Sequence, residues 1–152
     1  MNENITVVFS SSKKIGSRIL ELFLFSKFSH TAIIVDGVAY EAKFFGGVQT
    51  TPKEKFIEAN ERYSELFDIQ VTPEQKKMIV TFNKSQLGKK YDLFGVFAFP
   101  FRKSSWQDPN KWFCSEYNAA SLVRSGVINI KQKFHRISPR DLWILISNRT
   151  KR

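Results

Sequence analysis

The chain holds one cysteine and two histidines, so its thiol and imidazole chemistry rests on very few residues. Cys114 falls at the predicted start of a helix, between Trp112-Phe113 and Ser115-Glu116. The N–H groups of a first helical turn lack intrahelical partners, and the positive end of the helix dipole favours an anion there. Such a position stabilises a thiolate, and the same N–H groups can receive the oxyanion of an acyl-transfer intermediate. Position alone does not decide the matter, because a lone cysteine is commonly a small buried hydrophobe.

His30 opens an apolar, β-branched run, Ser29 to Val35, which Asp36-Gly37 separates from a second run, Val38 to Ala42. Asp-Gly between two such runs predicts a hairpin with a type I′ turn, because both turn positions need positive φ. A two-residue turn sets Ala32 opposite Glu41 and His30 opposite Lys43. Alternation then places His30, Ala32, Ile34, Ala39, Glu41 and Lys43 on one face. Glu41 is the diagonal neighbour of His30, about 7–8 Å away between backbones and within side-chain reach. A carboxylate there can orient the imidazole and stabilise its charged form, as the third member of a triad does. The alternative for Glu41 is a cross-strand ion pair with Lys43 or exposure to solvent. His135 is the competing imidazole. It sits in the basic segment Lys133-Phe134-His135-Arg136, where a neutral surface histidine is the simpler account and Arg136 disfavours its protonation.

The elements that must position these residues read as a mixed α+β domain. Ile5 to Phe9 is a short buried strand. Ser10 to Ser12 offer N-caps for an amphipathic helix over about 13–25, with Ile15, Ile19, Leu22 and Phe23 on one face. After Gly46-Gly47, Val48 to Thr51 form a strand, Pro52 to Asn60 a short helix, and Glu65 to Val71 another strand. Thr72-Pro73-Glu74-Gln75 is a capping-box start for a helix carrying Met78, Ile79 and Phe82 inward and stopping near Gly88. Tyr91 to Phe99 reads as a short buried helix, and Ser104 to Lys111 as a loop. A helix follows from Cys114 to Ser125 with Gly126 as C-cap, and Ser138-Pro139-Arg140-Asp141 starts a last one through Ile146.

Composition bounds the rest. A chain of 152 residues fits a single domain, 1–152, with a core rich in its 15 phenylalanines. With 24 basic and 14 acidic residues the net charge is +10, which reads first as a solvated surface, with attraction to an anionic partner such as a membrane surface or a cell-wall polymer as the alternative. The basic residues are scattered in pairs and no nucleic-acid motif accompanies them, so nucleic acid is not expected. A single cysteine allows no intramolecular disulfide and no cysteine-based zinc cluster, and two histidines make a multi-histidine metal site improbable; no metal or cofactor is expected. The N-terminus lacks a signal-peptide pattern and no apolar stretch is long enough to span a bilayer. The expectation is a cytoplasmic protein, or one released by lysis or with a phage particle.

Five segments together carry a family likeness. Ser29-His30-Thr31-Ala32-Ile33-Ile34-Val35, Tyr40-Glu41-Ala42, Gly88 with Tyr91-Asp92, Trp112-Phe113-Cys114-Ser115-Glu116 and Ile137-Ser138-Pro139-Arg140-Asp141-Leu142 resemble the circularly permuted NlpC/P60 group typified by YiiX-like proteins. The likeness runs over nearly the whole chain. It implies a papain-like layout, with an antiparallel sheet bearing the histidine and a helix bearing the cysteine at its N-terminus, and a Cys114-His30-Glu41 triad. Tyr91 and Ser115 become the implied oxyanion or substrate contacts, and a peptide amide such as a cell-wall peptide the implied substrate. Glu116 fits a bracing role in the first helical turn. The related lecithin:retinol acyltransferase branch reads asparagine–cysteine–glutamate–histidine where this chain has Phe113-Cys114-Ser115-Glu116, so the YiiX-like branch fits better. Two alternatives stay open: acyl-lipid chemistry in the same site, as thioesterase, lipase or acyltransferase, and a non-enzymatic basic binding module on the same fold.

Overall fold

The computed structural model describes residues 2–12, 21–22, 26–60, 63–92, 110–131 and 137–150. Most of the helix expected over 13–25, the expected helix after Tyr91, nearly all of the loop over 104–111, and His135 lie outside them. Strands β1 (Glu3–Ser11), β2 (His30–Val35), β3 (Val38–Lys43), β4 (Gly47–Pro52) and β5 (Tyr63–Val71) form one sheet in the order β4-β3-β2-β1-β5, antiparallel throughout. Helix α1 (Lys53–Ala59) follows β4, α2 (Pro73–Ser85) follows β5, and α3 (Cys114–Arg124) and α4 (Pro139–Thr150) come late in the chain.

Strand β1 is longer than its apolar run. It pairs with β5 from Glu3↔Val71 to Ser11↔Tyr63 and with β2 from Thr6↔Ile34 to Ser10↔His30. Ser10 and Ser11 therefore extend the strand, Ser10 paired on both sides and Ser11 with Tyr63 alone. The β2–β3 hairpin keeps the register expected from Asp36-Gly37, with Ala32 opposite Glu41 and φ of 49° and 77° at the two turn residues.

Alternation along the strands splits the core into two layers. Ile5, Val7, Phe9, Ile33, Val35, Tyr40 and Ala42 face the helical side and join Ile79, Tyr117, Ala120, Leu122, Leu142 and Ile146. Val8, Ala32, Ile34 and Ala39 face the other way and are covered by Phe56 of α1. Helix α2 opens on the expected capping box, Gln75 N–H donating to Thr72 Oγ1 (3.2 Å) and Thr72 N–H to Gln75 Oε1 (3.0 Å). Its buried stripe is Ile79 and Asn83, four residues apart, and Phe82 packs partly against the core. Met78 is a correction: it is 50% exposed, one step round the helix from that stripe. Helix α3 is buried from Cys114 through Leu122, and its end leads to Gly126 at φ 70°. Helix α4 starts at Pro139 behind Ser138 and Asp141, whose side chains exchange caps, and continues past Ile146 to Thr150.

A second, two-stranded sheet was not foreseen. β6 (Lys90–Tyr91) pairs in parallel with β7 (Lys111–Trp112), so Tyr91 is strand and not helix, and Lys111 is strand and not loop. β6 adjoins β4: Val48 N–H donates to Lys89 O at 2.8 Å, and Gly88 N–H donates to Val48 O at 2.9 Å. Among the described residues no helix is long and apolar enough to cross a membrane.

The junction of β4 and β6 depends on Gly47, at φ 67°, where an added Cβ would sit 2.1 Å from the Lys89 carbonyl oxygen. At Gly37 the φ is also positive, but an added Cβ meets nothing within 4 Å. Gly47→Ala is expected to cost about 3 kcal/mol and Gly37→Ala about 1 kcal/mol. Urea unfolding of the two variants checks this; equal costs would show that the backbone contact at Lys89 does not hold the junction.

Candidate active site

The site is built on the face of the hairpin that the register exposes to α1. Glu41, in the middle of β3, is completely buried as a side chain. A carboxylate withdrawn from water needs donors on both oxygens, and it has them. His30 Nε2 lies 2.7 Å from Oε2, the Thr51 hydroxyl donates to Oε1 at 2.5 Å, and Lys43 Nζ lies 2.8 Å from Oε1. Burial opposes ionisation of Glu41, but the bonds and charges of His30, with Lys43 and Thr51, win and hold its pKa at about 2. The two fates open to Glu41 in the sequence, orienting His30 or pairing with Lys43, are both realised, one on each oxygen.

His30 begins β2, with its side chain 15% exposed and its ring 5.9 Å from the buried Phe56 ring. Its Nε2 faces Glu41, and the imidazole also interacts electrostatically with the Cys114 side chain. Burial lowers the imidazole pKa, yet the bonds and charges of Cys114 and Glu41 outweigh it and raise the pKa to about 9. The folded site therefore favours imidazolium at neutral pH.

Cys114 is the first residue of α3, as expected, and packs where the helix start meets the end of β2. Its sulfur lies 3.9 Å from the Ser29 carbonyl oxygen, which can accept the S–H of the thiol form. The side chains of His30 and Tyr91 also interact electrostatically with Cys114. The cysteine is closed off from solvent. Burial, then the charge and bond of Cys114, hold the Tyr91 phenol well above its ordinary pKa, so its O–H remains a donor toward the sulfur. The parallel β6–β7 pairing, Tyr91↔Trp112, is what brings this tyrosine beside residue 114.

Ser115 is buried and its hydroxyl donates to Ile137 O at 2.6 Å, tying the helix start to the segment before α4. That leaves its backbone N–H, not its hydroxyl, as the group of the first turn available to an oxyanion. Glu116 braces the turn by accepting the Phe113 N–H at 3.3 Å. The structure thus brings Cys114, His30, Glu41 and Tyr91 together and directs the Ser115 hydroxyl elsewhere. Sequence reasoning missed Thr51. The signal is the β3–β4 register, Lys43↔Gly47 and Glu41↔Gln49, which sets Thr51 on the same face as Glu41.

No family model and no curated protein matches the sequence. Among solved structures, the fold is similar to that of the metalloprotein YiiX from Escherichia coli O157:H7. The TM-score is 0.63 at 21% identity, covering 86% of this chain and 69% of that one. With its five-stranded antiparallel sheet and its helices, the chain thus has an α+β fold like that of YiiX. Among the described residues no group of three His, Cys, Asp or Glu side chains is arranged to hold a metal ion.

Both ionisations feed into stability. His30, raised to about 9, contributes stability that is complete below pH 6.5 and lost as pH rises through about 9. Glu41, lowered to about 2, contributes stability that is complete above pH 4.5 and lost as pH falls toward 2. Urea midpoints should therefore be highest between pH 4.5 and 6.5, and the His30 ring should titrate near 9 by NMR. Cys114→Ala should lower that titration. A His30 ring titrating at or below 6.5 in the unsubstituted protein would refute the coupling.

Proposed function

We propose that the chain is a cysteine hydrolase that cleaves an amide or ester carbonyl. The reading is carried by the His30 imidazole held between the Cys114 sulfur and the Glu41 carboxylate. Cys114 thiolate attacks the carbonyl carbon, forming a C–S bond and a tetrahedral oxyanion. The N–H groups of the first turn of α3 receive the oxyanion, with the Tyr91 hydroxyl beside them. His30 gives its Nδ1 proton to the leaving amine or alcohol as the C–N or C–O bond breaks, leaving a thioester on Cys114. His30 then takes a proton from water, which attacks the thioester, and the acid product leaves as the sulfur regains its resting form. Glu41 fixes the tautomer and direction of the ring throughout and remains ionised.

The papain-like fold favours peptide amides, with cell-wall peptides as the substrate class to test first. Because Cys114 is covered, a substrate reaches it only when the residues over the sulfur part. The same covered pair would be inert if the cysteine were merely a core residue, so reactivity separates the two.

In the folded protein at pH 6, Cys114 should be alkylated by iodoacetamide faster than free cysteine, and His30→Ala should remove that advantage. Hydrolysis should fall about 10³-fold or more in Cys114→Ser and His30→Ala, and about 10–100-fold in Glu41→Gln, which can still accept the ring N–H. A thiol that reacts only after denaturation would overturn the proposal.

A further inference from the structure

The turn between β3 and β4 carries an aromatic pair that neither core layer uses. Phe44 is 49% exposed and Phe45 83% exposed, with their rings edge to face and centroids 4.6 Å apart. Exposing two adjacent phenyl rings costs hydration free energy and needs an explanation, unlike the singly exposed Met78 or Ile144. The turn is not a loose loop: Gly46 and Gly47 both adopt positive φ, and Gly47 is locked against the Lys89 carbonyl. The rings are therefore presented by a fixed backbone. Phe44 also meets the Tyr91 ring at 6.1 Å, so aromatic surface is continuous from the residue touching the Cys114 sulfur out to the tip at Phe45.

Charge frames the same tip. The β4–β6 junction brings Lys89 and Lys90 beside the turn, while the Lys43 ammonium is turned back to Glu41. A projecting apolar wedge flanked by Lys89 and Lys90, on a chain of net charge +10, matches the chemistry of an anionic bilayer surface. Single-stranded nucleic acid also attracts lysine and phenyl groups. Rings at 89° to each other, however, give no parallel faces on which successive bases can stack.

We propose that the Phe44-Phe45 turn is a docking wedge for an anionic membrane surface, its rings entering the interfacial layer while Lys89 and Lys90 face the lipid phosphates. Docking in this pose lays the aromatic path toward Tyr91 and Cys114 against the bilayer. The proposal does not depend on the hydrolase reading, because binding can be measured with the sulfur removed. The probe is full-length Cys114→Ser protein sedimented with vesicles of phosphatidylcholine alone or with 30% phosphatidylglycerol (about 50 mM salt). Binding is expected to the anionic vesicles only, to weaken with salt, and to fall about fivefold or more in Phe45→Ser, whose unchanged thermal melt excludes unfolding. Lys89→Gln with Lys90→Gln should weaken binding and flatten its salt dependence. Phe45→Trp should gain a blue-shifted emission component on addition of anionic vesicles. The proposal is overturned by absence of binding to anionic vesicles, by binding that Phe45→Ser leaves intact together with no shift in Phe45→Trp, or by tighter, Phe45-dependent binding to a single-stranded oligonucleotide.

Discussion

The buried carboxylate of Glu41 is the constraint around which the rest of the site is arranged. An ion withdrawn from water loses several kcal/mol of hydration even after relaxation. Three donors offset that cost from three places: His30 on the neighbouring strand, Thr51 on β4, and Lys43 two residues along β3. Removing any one leaves a charge only partly compensated. Because the donors come from β2, β3 and β4, the carboxylate also ties three strands to one register, and a one-residue slip would turn His30 or Glu41 to the opposite face. The small apolar patch of Val8, Ala32, Ile34, Ala39 and Phe56 beneath them strengthens every one of these interactions by excluding water.

From Glu41 the polarisation passes outward through one ring. The imidazole meets the carboxylate through Nε2 and also interacts electrostatically with Cys114. Helix α3 lies against the face of the sheet that carries Thr31 and Ile33, as the Asn118–Thr31 contact shows, while His30 projects from the other face. The two meet only because the cysteine is the first helical residue and the histidine the first strand residue. At those ends the helix start reaches past the sheet to the Ser29 carbonyl and the ring beyond it. Position at an element's end therefore matters twice, once for the dipole and once for the meeting.

The small β6–β7 sheet does for Tyr91 what the hairpin does for Glu41. Tyr91 stands beside Trp112, two residues before Cys114, and its ring also meets those of Phe113 and Phe44. Its hydroxyl is thereby fixed next to the sulfur, while Val48 and Gly47 anchor the strand through Lys89 to the main sheet.

Local order was legible in the sequence wherever one interaction range sufficed. Asp36-Gly37 set the turn and thus the Ala32–Glu41 register; Thr72 and Gln75 set the start of α2; the Cys114 position at a helix start followed from the polar–apolar pattern around it. From the hairpin alone, His30 and Glu41 could be placed on one face, because strand alternation is a property of a single chain segment. What needed the tertiary structure were contacts between segments distant in the chain. These are the nine-residue β1 between two partners, the parallel pairing of 90–91 with 111–112, the closure of the protein over Cys114, and the choice of Thr51 as the second donor to Glu41. Periodicity and capping record only the energetics of neighbours in sequence. Strand ends, short ladders and buried polar partners are decided by which distant backbone or side-chain group arrives to satisfy them.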